Sequence, residues 1–76
     1  MEMYAKRGER FVLHSENGLN YDIEVVNVNP FRPPGSEYAI DVFLNGKSVY
    51  DDVTFVGEEF LRKCERKGKA NGKENS

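Results

Sequence analysis

Apolar and polar residues alternate along the first half of the chain in the pattern of paired β-strands. Residues 11–13 are a short run of β-prone residues, and from residue 19 to residue 25 every second residue is apolar. Glu16-Asn17-Gly18, between the two stretches, is typical of a hairpin loop. The pattern therefore predicts two antiparallel strands joined by a tight connection.

The length of that connection follows from which residues it brings face to face. A two-residue loop would place Leu13 opposite Asp22, whereas a three-residue loop over residues 16–18 places Leu13 opposite Tyr21. The longer loop gathers the apolar side chains on one face and supplies Gly18 for a left-handed position. We predict the three-residue loop.

The alternation changes phase at Val25-Val26, which indicates either a β-bulge or local cover on both faces of the sheet. Residues 29–36 contain three prolines and are predicted to form a loop, because proline cannot donate to a strand ladder. Phe31 in this loop is either an exposed contact residue or a side chain folded back over the sheet edge. The sequence leaves both alternatives open.

Regular alternation resumes after the proline-rich loop and predicts a second hairpin. Its turn is Asn45-Gly46, the favoured dipeptide of a type I′ turn. That turn places Val42 opposite Val49 and Asp41 opposite Tyr50. The sequence up to this point therefore predicts four antiparallel strands in two hairpins.

The last third of the chain shows apolar residues spaced by three and four positions, which favours a helix. These residues are Val53, Val56, Phe60 and Cys64. Acidic Glu58 and Glu59 precede basic residues from Arg62 onward, a polarity that complements the helix dipole. Gly68 stands where a helix-ending glycine is expected, and residues 68–76 contain no large apolar side chain to order them.

These elements predict one small α+β domain over residues 1–67 and a disordered basic tail over residues 68–76. The domain is expected to be a four-stranded antiparallel sheet with one C-terminal helix on one face. A single helix covers only part of a sheet, so the other face is expected to stay open. Phe43, Tyr50 and Phe31 are the apolar residues expected to supply partner contacts or a homodimer interface.

Cysteine and histidine content limits the chemistry. The 76 residues include one Cys and one His, which excludes an internal disulfide and a zinc site built only from these residues. Cys64 and His14 are the only nucleophile–base pair, and Cys64 is expected to be a buried small hydrophobe rather than a nucleophile. We therefore expect a protein that is not an enzyme and has no catalytic residues.

Cofactor, metal and membrane signals are equally sparse. No phosphate-binding or dinucleotide-binding fingerprint occurs, and the acidic residues lack the spacing of a calcium loop, so no cofactor or metal is expected. No apolar run approaches the ~20 residues of a membrane span, and the N-terminus lacks the apolar stretch of a signal peptide. The expectation is a cytoplasmic protein without membrane contact.

The net charge of −2 conceals a strong division along the chain. Residues 13–60 hold nine acidic residues and only Arg32 and Lys47 as cations, a net charge of −7, whereas residues 61–76 have a net charge of +4. Acids spread over strands and turns can imitate the phosphates of DNA, so the expected partner is a basic, nucleic-acid-binding protein. The acidic residues expected to form this surface are Asp22, Glu24, Asp41, Asp51, Asp52, Glu58 and Glu59.

The basic C-terminal part supports an alternative function. Its Lys and Arg residues could contact phosphate, which would make the chain a small nucleic-acid-binding module. The alternative is that this basic part is a solvated tail that makes no phosphate contact. Direct nucleic-acid binding would also have to overcome the repulsion of the acidic body.

The short length, the missing catalytic residues and the acidic stretch from residue 16 to residue 59 resemble small early proteins of bacteriophages that take over host machinery. Proteins of that kind are mostly non-enzymatic and bind one host protein, and some are DNA mimics that inhibit the bacterial nucleoid protein HU. The resemblance implies an inhibitor or adaptor acting in a bacterial cytoplasm. It includes no specific motif, so it assigns no role to any residue, and the basic tail departs from a pure DNA mimic.

Overall fold

The computed structural model describes residues 3–69. Its elements in chain order are β1 (Glu9–His14), β2 (Asn20–Val28), β3 (Tyr38–Leu44), β4 (Lys47–Ser48), β5 (Thr54–Val56), α1 (Glu58–Arg62) and β6 (Glu65–Lys69). All strands pair antiparallel in one sheet of order β4-β3-β2-β1-β6, and β5 also pairs with β3. The antiparallel sheet with a helix is confirmed, but the sheet has six strands where four were predicted.

The first hairpin has the predicted three-residue loop. Leu13 lies opposite Tyr21, and Phe11 lies opposite Ile23. Gly18 has a φ of 89°, the left-handed region that glycine enters at little cost. The rule that apolar side chains share one face therefore predicted the register of β1 and β2 correctly.

The phase change in β2 is a β-bulge. Val25 pairs with Ile40, and Asn27 pairs with Ala39, so Val26 is an extra residue without a partner on β3. Such an insertion shifts the following side chains to the other face. This decides between the two alternatives that the sequence left open.

The second hairpin has the predicted turn but a much shorter second strand. Asn45-Gly46 has φ values of 53° and 83°, as a type I′ turn requires. The Val49 amide donates to the Val42 carbonyl at 2.8 Å, but β4 ends at Ser48. The hydroxyl of Ser48 donates to the carbonyl of Tyr50 at 2.6 Å, a local bond that competes with strand pairing. The predicted strand position of Tyr50 is therefore wrong.

The predicted C-terminal helix is wrong in its extent and its place. Residues 54–56 are β-branched or aromatic and form β5, which pairs with the first half of β3. Gly57 separates β5 from α1, and the helix has only five residues. The chain then forms β6, so a strand and not a helix ends the described part of the chain.

β6 pairs with β1 at the edge of the sheet. Phe11 lies opposite Arg66 and Arg10 lies opposite Gly68, so Lys67 is an extra residue in a second bulge. Gly68, with a φ of 101°, belongs to this strand and does not end a helix. The predicted boundary after residue 67 therefore falls inside β6, and residues 70–76 of the predicted tail lie outside the described residues.

The hydrophobic core lies between one face of the sheet and α1. Its buried side chains come from the strands, the helix end and the N-terminal segment, and they are Ala5, Phe11, Ile23, Val25, Tyr38, Ile40, Leu61 and Cys64. Among residues 3–69 no helix covers the opposite face, as the sequence predicted. Over residues 3–69, the structure contains no helix with the length and apolar character needed to cross a bilayer.

Candidate functional site

Three carboxylates lie together on the uncovered side of the sheet, which we call the open face. Glu24 on β2 is directly opposite Asp41 on β3, and Asp22 is two residues from Glu24 on the same strand. Directly opposed side chains have Cβ atoms about 5 Å apart, and residues two apart on a strand are separated by about 6.8 Å. We call Asp22, Glu24 and Asp41 the acidic trio.

Apolar side chains flank the acidic trio. Phe43 on β3 and Val12 on β1 both lie opposite Asp22, one on each side of β2, and both are half-buried. A shallow depression of about 370 Å³ includes these residues together with Glu24. The predicted position of Phe43 on the open face is correct, and Val12 adds an apolar contact residue that the sequence analysis did not single out.

Basic side chains border the acidic trio on the side of β1 and β6. Arg10 lies opposite Glu24, with 4.0 Å between the guanidinium and the carboxylate, and both side chains contact solvent. Exposed pairs of this kind contribute little stability. Lys67 lines the same depression as Glu24, so one residue of the basic C-terminal stretch lies beside the acidic residues.

The other four predicted acidic residues lie elsewhere. Asp51 and Asp52 are exposed in residues 49–53, the segment that connects β4 to β5. Glu58 and Glu59 form the first turn of α1, on the covered side of the sheet. The structure thus brings three of the seven acidic residues together, because α1 packs on the face opposite the acidic trio and Asp51 and Asp52 lie in the connection before β5.

The proline-rich loop exposes Phe31 and folds Arg32 inward. Phe31 is 93% exposed. Its backbone amide donates a hydrogen bond to the side-chain oxygen of Asn29 at 3.0 Å. The Arg32 guanidinium stacks over the Phe55 ring at 4.3 Å, and the Asn29 amide donates to the Glu37 carbonyl at 2.8 Å to close the loop. Of the two alternatives for Phe31, exposure is therefore correct.

His14 and Cys64 lie on opposite faces of the sheet. Nδ1 of His14 is 2.8 Å from the side-chain oxygen of Asn20, and Nε2 is 2.8 Å from a carboxylate oxygen of Glu65. The hydrogen bond to Glu65 raises the pKa of His14. Cys64 belongs to the core, its thiol donates to the Phe60 carbonyl at 3.5 Å, and burial raises the pKa of the thiol. This geometry provides no nucleophile–base dyad, and the prediction that Cys64 is buried is correct.

Two arginines of the basic C-terminal stretch are engaged within the chain. Arg62 donates to Glu58 at 2.6 Å, and its guanidinium stacks over Tyr4 at 4.7 Å. Arg66 pairs with Glu9, donates to the Tyr4 carbonyl at 3.1 Å and stacks over the Tyr4 ring at 4.5 Å. The sequence carried no local signal for the Arg66 contacts, because the N-terminal segment and β6 are far apart in the chain, whereas Glu58 and Arg62 have the i,i+4 spacing of a helical ion pair.

Within residues 3–69, the His, Cys, Asp and Glu side chains form no group of three or more that could hold a metal ion. Comparison of the chain with protein-family models, curated proteins and solved structures found no match.

Proposed function

We propose that the protein is a non-enzymatic binding protein whose open face engages a basic, DNA-binding protein of a bacterial host. The acidic trio is the observation that carries this proposal. Glu24 and Asp41 are directly opposed like charges, an arrangement that destabilises an antiparallel sheet. A partner that brings Lys or Arg side chains to the open face relieves this repulsion. The relief of repulsion favours the complex over the free protein.

The spacing of the acidic trio supports mimicry of a nucleic-acid backbone. Its carboxylates present three negative charges within a short stretch of the open face, two along one strand and one on the next. A protein that neutralises phosphates with Lys and Arg would meet a similar charge pattern here, and the attraction would speed association and weaken with salt. Phe43 and Val12 would add the apolar contact area of a protein–protein interface.

The same geometry makes direct nucleic-acid binding the less favoured of the two functions. The acidic trio repels phosphate, and the guanidinium groups of Arg62 and Arg66 are already paired with Glu58 and Glu9. In the described part of the chain, the exposed cations that could contact phosphate include Lys6, Arg7, Lys63 and Lys67. A gel shift of duplex DNA by the protein alone would favour this alternative.

A displacement assay tests the proposal. The protein is added to HU bound to fluorescent duplex DNA, and anisotropy reports the DNA that is released. We expect wild type to release the DNA and the neutral, isosteric variant Asp22→Asn/Glu24→Gln/Asp41→Asn to fail.

A matched control separates the open face from net charge. The variant Glu16→Gln/Asp51→Asn/Asp52→Asn removes the same number of charges from exposed residues outside the open face, and we expect it to release DNA as wild type does. Equal loss in both variants, or no release by wild type, would overturn the proposal.

A further inference from the structure

A groove lies on the helix side of the molecule, between the proline-rich loop and the start of α1. Its volume is about 940 Å³, and Met3, Val56 and Phe60 on one side and Pro30 and Pro34 of the loop contribute its apolar lining. These residues lie on the face opposite the acidic trio. We call this the loop–helix groove, and the proposed function makes no use of it.

The walls of the loop–helix groove are held together by the backbone. A Cβ atom on Gly57 would lie 2.7 Å from the Cα of Gly35, so the helix start and the loop touch with no room for a side chain. The Gly35 amide donates to the Glu37 carboxylate at 3.1 Å, which orders the loop further. A groove with walls fixed in this way binds a partner at a lower cost in conformational entropy.

The charge of the loop–helix groove selects a cationic occupant. Glu37, Glu58 and Glu59 line it, against one cation, Lys63. Arg62 is paired with Glu58, so Glu59, which is exposed, is the carboxylate best placed to receive a positive group. An apolar floor between acidic walls matches an extended peptide in which apolar side chains alternate with Lys or Arg.

Phe31 provides an exposed aromatic side chain on the loop that forms one wall of the groove. It is 93% exposed and follows Pro30, which lines the groove itself. The face of an aromatic ring attracts a guanidinium group. We propose that the loop–helix groove binds an extended, arginine-containing segment of a protein partner, which gives the molecule a second binding surface opposite the acidic trio.

Fluorescence anisotropy with the full chain tests this proposal. The probe is a labelled, end-capped peptide of alternating leucine and arginine, compared with a peptide that has glutamine in place of arginine. We expect Glu59→Lys to weaken binding of the arginine peptide roughly tenfold and Phe31→Ala to weaken it severalfold. Glu16→Lys is the matched control, because Glu16 is exposed in the first hairpin loop and away from the groove, and it should change binding less than about twofold.

Three outcomes would overturn the proposal. Equal weakening by Glu16→Lys would show attraction to net charge alone, and equal binding of the glutamine peptide would remove the role of the glutamates. Loss of binding in Asp22→Asn/Asp41→Asn, with none in Glu59→Lys, would place the peptide on the acidic trio. The groove and the open face are tested by different variants, so either proposal can fail while the other stands.

Discussion

Gly57 is the residue on which the position of α1 most depends. Its φ of −102° is open to any residue, so its backbone conformation does not demand glycine. The available space does demand glycine, because an added Cβ would lie 2.7 Å from the Cα and 3.3 Å from the carbonyl carbon of Gly35. Neither atom belongs to a flexible side chain that could move aside.

We therefore expect Gly57→Ala to lower the free energy of unfolding by about 1–3 kcal/mol, the usual cost of overpacking. Urea denaturation followed by circular dichroism measures this. Lys63→Ala, at an exposed residue just after α1, should change stability by no more than about 0.5 kcal/mol. Unchanged stability in Gly57→Ala would show that the loop and the helix start do not touch.

His14 is the residue whose charge responds to pH near neutrality. Its hydrogen bonds to Glu65 and then to Asn20 raise its pKa above 6.5, and the bond to His14 lowers the pKa of Glu65. The contribution of His14 to stability is therefore complete below pH 6.5 and is lost as the pH rises through its folded-state pKa. At acid pH the contribution of Glu65 is lost as the pH falls through its own lowered pKa.

An NMR titration of the His14 ring protons tests this pair. Wild type should titrate above pH 6.5, and Glu65→Gln should lower the pKa toward 6.5 because the carboxylate partner is removed. Glu16→Gln, which changes the charge without touching His14, should leave the titration where it is. A wild-type pKa at or below 6.5 would contradict the His14–Glu65 contact.

Among the elements, the two hairpins follow from local sequence and the C-terminal region does not. Side-chain alternation predicted the loop over residues 16–18, the Asn45-Gly46 turn and the irregularity at Val26, because each depends on neighbouring residues. The same alternation predicted that Asp22 and Phe43 share the open face. The acidic trio was therefore predictable, as its members lie in these hairpins.

β5 and β6 were missed for physical reasons that differ. Residues 53–64 have apolar spacings that suit a helix, yet residues 54–56 are β-prone and Gly57 interrupts the pattern, so strand pairing with β3 prevailed. β6 has no β-prone residue at all. Its place depends on contacts of Arg66 with Tyr4 and with Glu9, which no local pattern shows.

Arg66 is expected to anchor β6 to the N-terminal segment. Its guanidinium stacks over the rings of Tyr4 and Phe11 at 4.5 Å and 5.2 Å and pairs with Glu9. Arg66→Ala should therefore lower the free energy of unfolding by about 1–2 kcal/mol, and Arg66→Lys should lower it less. Urea denaturation measures the free energy of unfolding, with Lys67→Ala on the same strand as the control. Equal losses in the two alanine variants would refute the anchoring role.

The opposed charges of β2 and β3 predict a gain in stability when one is removed. Asp41→Asn should raise the free energy of unfolding by about 0.2–1 kcal/mol, because it removes the repulsion between Asp41 and Glu24. Thermal denaturation at low salt measures the change, and Glu16→Gln should show none of this gain. Destabilisation by Asp41→Asn would mean that the carboxylate is needed for the fold and would weaken the case for a binding role.

At the scale of the whole molecule, the two proposed surfaces lie on opposite faces of one thin sheet-and-helix structure. The described residues measure 33 × 30 × 22 Å, and the sheet separates the open face from the loop–helix groove. Both surfaces carry carboxylates, while Arg62 and Arg66 are paired within the chain.

The most direct test of the central claim is an NMR titration of the ¹⁵N-labelled protein with HU. We predict that shift changes concentrate at the amides of Asp22, Glu24, Asp41 and Phe43, and that they shrink steeply as salt is raised from 50 to about 300 mM. Absence of binding, or shift changes confined to residues 62–69, would contradict the assignment of the open face as the surface that binds a basic partner.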